Sequence, residues 1–199
     1  MSEFAAILLT GGSARRLGGI DKATLNICGE SCFVRVLSAL QSATEIIVVG
    51  PPLEVTDERI TFLQEEPKGG GPVAAIAEAL SRITADRVAV VSVDVPLVLG
   101  AVDELMAQWR PTDTALVASD GVHESYLVSI FNVEALRAAI AALATAANAS
   151  MKSVLAYLNY RPVRVSNPDM LIDVDTPEDL ARVEAILRLR SCGSDQESR

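Results

Sequence analysis

The sequence predicts a layered α/β domain built around a mainly parallel sheet. Short apolar runs of the kind found in buried strands alternate along the chain with segments whose apolar residues recur at helical spacing. Strands that alternate with helices in this way form a sheet covered by helices. Ligands bind to such sheets beyond the carboxyl ends of the strands. Gly11, Gly50 and Asp94 each follow a predicted strand and are therefore candidate site positions.

The predicted strands are short and nearly continuous in apolar residues, as expected where both faces of a sheet are covered. They comprise residues 4–10, 45–49, 59–64, 87–93, 114–118 and 126–131. The predicted helices have apolar side chains at intervals of three and four residues or are rich in alanine. They comprise residues 32–41, 71–81, 102–109, 134–147, 151–158 and 177–189. Pro72 lies in the first turn of the second helix, where proline is favoured.

The chain of 199 residues has the length of one domain with a sizeable core. No proline- or serine-rich linker divides it, so residues 1–190 are predicted to form a single domain. Residues 191–199 show no apolar periodicity and are predicted to form a disordered C-terminal tail.

The composition argues against several classes of protein. Apolar residues make up 50% of the chain and charged residues 22%, which is typical of a globular protein. A net charge of −9 argues against nucleic-acid binding, which needs a basic face. No apolar run could span a membrane and the start resembles no secretory signal, so a cytoplasmic protein is expected. Three cysteines and one histidine argue against a disulfide framework or a four-ligand zinc site.

The segment after the first predicted strand, residues 9–22, combines glycines with three basic residues within eight positions of an otherwise acidic chain. Glycines let backbone N–H groups converge on phosphate oxygens, and Arg15, Arg16 and Lys22 add positive charge. The segment matches neither the P-loop nor the dinucleotide-binding glycine pattern. It either binds an anion or forms an ordinary glycine-rich turn with solvated arginines. Its length and its position after the first strand favour anion binding.

Two other segments carry aspartates in informative places. Asp94 directly follows the clearest buried strand, where a carboxylate either holds Mg²⁺ together with substrate phosphates or caps the next turn. Residues 176–179, Thr-Pro-Glu-Asp, form a typical helix start. That capping pattern does not explain Asp173 and Asp175, and for Asp175 ligand binding and a structural role are both open.

Three further features have a purely structural interpretation as well as a functional one. The glycine-rich residues 65–72 suit either a loop over a base or phosphate or a plain helix entry. Cys28 and Cys32 have no second cysteine pair and are expected to be small core or surface thiols. His123 lies in a polar stretch and is expected to be an exposed loop residue rather than a catalytic base.

Taken in order, these segments resemble the molybdenum cofactor guanylyltransferase family, often called MobA-like. The family's Leu-Ala-Gly-Gly-x-x-x-Arg-Met-Gly-x-Asp-Lys loop stands here as Leu-Thr-Gly-Gly-Ser-Ala-Arg-Arg-Leu-Gly-Gly-Ile-Asp-Lys at residues 9–22. Its Gly-Pro-Leu loop appears at residues 71–73 and its Asp-x-Pro motif at residues 94–96. Its Asn-x-Asn-Thr-Pro-Glu-Asp-Leu motif appears at residues 173–180, with aspartates in place of both asparagines. The resemblance covers residues 5–187.

The resemblance implies a Rossmann-like nucleotidyltransferase fold, which is a three-layer α/β/α sandwich with a mixed central sheet. It assigns to nucleotide binding the residues Leu9, Thr10, Gly11, Gly12, Lys22, Glu65 and Asp94. The residues of the first loop would meet the nucleotide through their backbone, and Lys22 would contact its phosphates. Lys22, Arg15 and Asp94 are implied to be catalytic. Asp94 and Asp175 are implied to hold Mg²⁺.

The implied reaction is in-line nucleotidyl transfer, in which the terminal phosphate of Mo-molybdopterin attacks the α-phosphorus of GTP and pyrophosphate leaves. The implied protein partners are molybdenum insertion factors or molybdoenzyme apoproteins. The chain departs from the family at three places. Glu65 replaces an aspartate of the nucleotide site, and Gly50 stands near an asparagine of some members. The acceptor segment, residues 121–127, lacks the family's arginine and proline.

Other functions share parts of this pattern. A related transferase could use CTP or another phosphorylated acceptor. A nucleotide-binding regulator that has lost catalysis would bind GTP with Mg²⁺ but release no pyrophosphate. A plain α/β interaction domain would bind no nucleotide.

Overall fold

The computed structural model describes residues 3–11, 13–14 and 19–194, with the side chains of 13–14 and 191–194 left aside. The strands in these ranges, numbered in chain order, are β1 (Ala5–Leu9), β2 (Ser13–Ala14), β3 (Ile20–Asp21), β4 (Asn26–Ile27), β5 (Glu30–Ser31), β6 (Glu45–Val49), β7 (Ile60–Leu63), β8 (Arg87–Ser92), β9 (Ala115–Ser119), β10 (Glu124–Asn132) and β11 (Tyr160–Arg164). The α-helices are α1 (Cys32–Ser38), α2 (Gly71–Leu80), α3 (Ala101–Ala107), α4 (Val133–Ala141), α5 (Met151–Leu155) and α6 (Pro177–Ser194).

Seven of these strands form one sheet in the order β11-β9-β10-β8-β1-β6-β7. Every neighbouring pair is parallel except the two made by β10, which runs antiparallel to β8 and β9. The sheet is therefore mixed and mainly parallel, as the sequence predicts. Strands β1, β6, β7, β8, β9 and β11 all end at one edge, which we call the carboxyl edge. The pairs β2–β3 and β4–β5 form two small separate ladders.

Helices cover both faces of the sheet. Alternating side chains of β1 divide between two apolar cores, because successive residues of a strand point to opposite faces. Ala6 and Leu8 belong to the core that includes buried residues of α1, α3 and α6. Ala5 and Ile7 belong to the core that includes buried residues of α2, α4 and α5. The predicted three-layer α/β/α arrangement is confirmed.

Two differences between the predicted and observed elements, the early end of α4 and the presence of β11, have identifiable reasons. The alanine-rich helix predicted over residues 134–147 ends at Ala141. The following turns bring the N–H of Asn148 to the carbonyl of Gly70 at 2.6 Å, a tertiary contact that the alanine pattern does not reveal. Strand β11 is not predicted because it contains Pro162. It lies at the end of the sheet, where proline is tolerated.

The last helix continues beyond its predicted end. Helix α6 runs to Ser194 rather than to residue 189, so part of the predicted tail is helical. The rest of that tail, residues 195–199, lies outside the described residues. Within the described part of the chain, no helix is both long and apolar enough to cross a membrane.

Candidate active site

Backbone contacts bring the two distant aspartate segments together at the carboxyl edge. Asp94 follows β8 in the middle of the sheet. The N–H of Val174 donates to the carbonyl oxygen of Asp94 at 2.8 Å, and Val174 is itself buried. This hydrogen bond fixes the segment before α6 beside the end of β8. Asp175, the next residue, therefore lies close to Asp94.

Lys22 links these two aspartates. It begins a 3-10 helix, Lys22–Thr24, whose start is capped by the Asp21 carboxylate accepting from the N–H of Ala23. Its Nζ donates to Oδ2 of Asp94 at 3.0 Å and also to Oδ1 of Asp175. The structure thus brings together three residues that the sequence analysis singled out in three separate motifs.

The cluster carries a net negative charge and a firmly protonated lysine. Burial lowers the pKa of Lys22, but the carboxylates of Asp94 and Asp175 more than offset this, so its pKa lies above the ordinary lysine value. One ammonium faces two carboxylates, which leaves a net charge of about −1 on the three side chains. This net charge favours binding of a further cation, or of an anion that brings its own cation.

The same donor set fits a magnesium ion. Mg²⁺ is usually held by one or two carboxylates together with substrate phosphates and water. Asp94 and Asp175 supply two carboxylates that already share one cation, the Lys22 ammonium. Among the residues that the structure describes, no cluster of three or more metal-binding side chains occurs. Substrate phosphates and water are therefore the natural source of the remaining ligands.

The end of β1 meets the end of β6 beside this cluster. The carbonyl of Leu9 accepts from Val93 at 2.9 Å, and the N–H of Thr10 donates to Val49 at 3.0 Å, so both groups are used within the sheet. Gly11, the next residue, is exposed at the carboxyl edge. Gly12 and Arg15, also predicted to bind or stabilise the nucleotide, lie outside the described residues.

Gly50 is explained by its contact with Thr10. The Thr10 hydroxyl donates to the carbonyl of Val49 at 3.1 Å and is buried. A Cβ on Gly50 would lie 2.2 Å from this hydroxyl oxygen, and Gly50 has a φ of 149°. Only glycine fits this position next to threonine. Thr10, where the family motif has alanine, and Gly50 are therefore physically connected.

Glu65 lies on the other side of β6, in the loop after β7. Its carboxylate accepts from the backbone N–H of Gly69 at 2.9 Å, which holds the glycine-rich loop in place. Helix α2 then starts at Gly71, with Pro72 in its first turn, so this segment serves at least as a helix entry. Among the interactions of the described residues, none joins Glu65 to Lys22, Asp94 or Asp175.

A cavity of about 540 Å³ has Asp94 in its wall. Its walls come from the end of β8, the start of β10, the 3-10 helix Pro168–Leu171 and the first turns of α6. Tyr126, Leu127, Leu171 and Ile172 give it an apolar portion. Because Asp94 belongs both to the lysine cluster and to this wall, a molecule in the cavity lies next to the cluster.

Most acidic groups of the cavity wall already have partners. The carboxylate of Asp120 accepts from the N–H groups of Val122 and His123 at 2.7 Å each. Glu124 accepts from the hydroxyl of Tyr160, and Asp179 from the hydroxyl of Thr176. These hydrogen bonds hold the loop, a strand and the helix start that frame the cavity.

Asp173 and Arg182 are the charged wall residues with the least engaged side chains. Burial, and then the nearby carboxylates of Asp175, Asp94 and Asp179, raise the pKa of Asp173 above its usual value. The Arg182 guanidinium lies 3.8 Å from Asp169 and is mostly exposed. Among the described wall residues it is the one arginine or lysine. Arg182 belongs to no motif in the sequence, because its place in the cavity wall depends on how α6 packs.

His123 and the two cysteines Cys28 and Cys32 lie where the sequence predicts. The side chain of His123 is 84% exposed and pairs with Asp120, as expected for a loop residue. Cys28 is exposed and Cys32 buried, and neither is in a disulfide. Burial raises the pKa of Cys32 to about 11, so this thiol is not a nucleophile at neutral pH.

A mixed sheet covered by helices, with a lysine, two aspartates and a cavity at the carboxyl ends of its strands, is typical of α/β proteins that bind ligands beyond those strand ends. The sequence model of one protein family, the MobA-like NTP transferase domain, matches residues 6–164. The chain belongs to this family of nucleotidyltransferases.

Individual relatives agree with this assignment over nearly the whole chain. A protein named molybdenum cofactor guanylyltransferase from Vibrio cholerae is 27% identical over 195 residues, covering 93% of each chain. The fold is similar to that of molybdopterin-guanine dinucleotide biosynthesis protein A from Archaeoglobus fulgidus, with a TM-score of 0.68, 21% identity and coverage of 92% of this chain and 98% of that one. A nucleotidyl transferase from Methanothermobacter thermautotroptrophicus gives a TM-score of 0.76 at 16% identity, covering 95% and 99%.

Proposed function

We propose that this protein is a molybdenum cofactor guanylyltransferase, which transfers GMP from GTP to the phosphate of Mo-molybdopterin. The contact of Lys22 with both Asp94 and Asp175, next to a separate cavity, is the observation that carries the proposal. A transferase needs a charged centre for the triphosphate and an adjoining place for the acceptor. Curated relatives at 26–29% identity bear the name of this activity.

In the proposed reaction, an oxygen of the acceptor phosphate attacks the α-phosphorus of GTP. The bond from the α-phosphorus to the bridging oxygen breaks, and pyrophosphate leaves. The protein contributes positioning and charge stabilisation, which dominate catalysis of phosphoryl-type transfer. Lys22 and Arg15 stabilise the leaving pyrophosphate, and Leu9, Thr10, Gly11 and Gly12 are the backbone positions of the loop that receives the nucleotide.

Asp94 and Asp175 are the residues that would hold Mg²⁺. When bound there, the ion neutralises phosphate charge and acts as a Lewis acid. Asp94 would bind the ion from the end of β8, in the middle of the sheet. Asp175 completes the pair from the segment that Val174 ties to Asp94. Glu65 is proposed to contribute to the nucleotide site from the far side of β6.

The acceptor is proposed to occupy the cavity beside Asp94. The apolar residues at its wall suit a flat ring system, and Arg182 provides the positive charge that an anionic acceptor requires. This guanidinium comes from α6, whereas the family's acceptor segment carries an arginine that residues 121–127 lack. We place the reaction in the cytoplasm, with an insertion factor or a molybdoenzyme apoprotein receiving the product.

Pyrophosphate release with a panel of nucleotides tests this function. The protein is incubated with Mg²⁺, Mo-molybdopterin and either GTP, CTP or ATP. We expect release with GTP that depends on the acceptor. Release with CTP in place of GTP would assign cytidylyl transfer, and GTP binding without release would make the protein a regulator without catalysis.

A further inference from the structure

The contacts of Lys22 support a second role for this residue. We propose that its ammonium takes the place of the catalytic cation in the nucleotide-free protein and leaves that place only when a triphosphate arrives with its metal. Lys22 is then a positioning residue that holds Asp94 and Asp175 together, and metal entry depends on the nucleotide. The inference rests on the proposed function in one respect, that the substrate is a metal–triphosphate complex.

The Lys22 ammonium occupies carboxylate oxygens of both aspartates. Nζ of Lys22 lies 3.0 Å from Oδ2 of Asp94 and is bound to Oδ1 of Asp175. These two carboxylates are the proposed metal ligands. A free divalent ion must therefore compete with an internal ammonium before both carboxylates can hold it.

The ammonium of Lys22 is held firmly in this position. Lys22 is 9% exposed, and its 3-10 helix is fixed at the start by Asp21. It cannot leave the carboxylates without breaking two charge-assisted hydrogen bonds, which are costly to lose at a buried site. A triphosphate offers the ammonium new anionic partners. The same event frees the carboxylates as the metal arrives.

Asp175 determines the side from which a metal can replace the Lys22 ammonium. The side chain of Asp175 is 49% exposed, against 11% for Lys22, so the cluster is open on the Asp175 side. With asparagine at position 175, the lysine would meet one carboxylate and the cluster would be neutral. Asp175 adds a carboxylate that holds Lys22 in the free protein and is available to the metal in the loaded one.

Binding of Mn²⁺ without nucleotide, followed by electron paramagnetic resonance, tests this role. The proteins are wild type, Lys22→Gln, Lys22→Gln/Asp175→Asn and, as control, Lys152→Gln, which removes an exposed charge from α5. We expect Lys22→Gln to bind Mn²⁺ at least about tenfold more tightly than the control, because both carboxylates lose their internal cation. The double variant should lose most of that gain.

Equal Mn²⁺ affinities of Lys22→Gln and Lys152→Gln would overturn the inference. If Lys22→Gln does not fold, wild type alone decides. Nucleotide-free wild type must bind Mn²⁺ more weakly than the GTP-loaded protein, and equal affinity in the two states would overturn the inference. The comparison of Lys22→Gln with Lys152→Gln uses no nucleotide and the wild-type comparison needs GTP binding but no transfer. A protein that binds GTP without transferring GMP therefore leaves both results unchanged, and this inference and the proposed function fail separately.

Discussion

Three charged side chains set the electrostatics of the candidate site. Burial lowers the pKa of Lys22 and the two aspartates raise it by more, so the ammonium persists to alkaline pH. A folded-state pKa above the unfolded value contributes stability that is fully present below the unfolded pKa and is lost as the pH rises through the folded one. Lys22 therefore keeps its contacts with both carboxylates at neutral pH and loses them only in the alkaline range.

Asp94→Ala is expected to reduce GTP turnover by a factor of about 10²–10³ while leaving the fold intact. Asp94 is the carboxylate that both contacts Lys22 and lines the cavity, so its loss affects both halves of the reaction. Asp103→Ala removes the same charge from an exposed position of α3 and is the matched control. Initial rates of pyrophosphate release and thermal melts give the comparison. Near-normal turnover by Asp94→Ala would rule out this site.

Arg182→Gln is expected to raise the KM for the acceptor by about tenfold, because a charge-assisted contact to an anion is worth roughly 1.5–3 kcal/mol. The KM for GTP should stay unchanged. Arg188→Gln is the control, since Arg188 lies on the same helix and pairs with Glu184. Steady-state kinetics with varied acceptor make the test. If the two variants behave alike, Arg182 does not bind the acceptor.

A few backbone and helix-capping hydrogen bonds hold the elements that carry these residues. Asp179 accepts from the N–H and the hydroxyl of Thr176, and the Asp179 N–H donates back to that hydroxyl. This is the reciprocal pattern expected at a helix start. It fixes the start of α6 two residues after Asp175, so the same hydrogen bonds support the helix start and the candidate metal ligand.

Thr176→Ala is expected to destabilise the protein by about 0.5–2 kcal/mol at neutral pH, the usual effect of losing a helix cap, whereas Thr176→Ser retains the contact. The Thr176 hydroxyl holds the pKa of Asp179 below its usual range. A lowered pKa contributes stability that is present above the unfolded pKa and is lost as the pH falls through the folded one. The difference between Thr176→Ala and wild type should therefore shrink in acid. Urea unfolding at pH about 7 and about 3 measures it.

Thr10 and Gly50 are expected to be energetically coupled. Gly50→Ala places a Cβ against the Thr10 hydroxyl and should destabilise the protein strongly. Thr10→Ala/Gly50→Ala removes that clash and should be less destabilised than the sum of the single variants, with a coupling of about 0.5–3 kcal/mol. Denaturant unfolding of the four proteins of the cycle provides the value. Additive effects would show that the contact is unimportant.

At the scale of the whole molecule, the sheet converts sequence-distant motifs into one site. Lys22 is 72 residues from Asp94 and 153 from Asp175. The apolar strands and the helices that cover them are readable from the sequence, because hydrophobic spacing determines them locally. Aspartates that follow strands are also readable, since parallel strands end at one edge.

Features that depend on packing between elements are not readable in this way. The place of Arg182 depends on where the first turns of α6 lie around the cavity that the start of β10 also lines. The Thr10–Gly50 contact depends on the register of β1 against β6. Strand β11, with its internal proline, exists because β9 offers it an edge to pair with. The exact end of α4 depends on the contact between Asn148 and Gly70.

The fate of labelled phosphates tests most directly whether the protein transfers GMP from GTP to the acceptor. GTP labelled at the α-phosphate or at the γ-phosphate is incubated with the protein, Mg²⁺ and Mo-molybdopterin, and the products are separated. We expect the α-label to enter the acceptor and the γ-label to leave as pyrophosphate, and we expect Asp94→Ala to slow both by a factor of about 10²–10³. Transfer of the γ-label to the acceptor, or no entry of the α-label, would contradict this expectation.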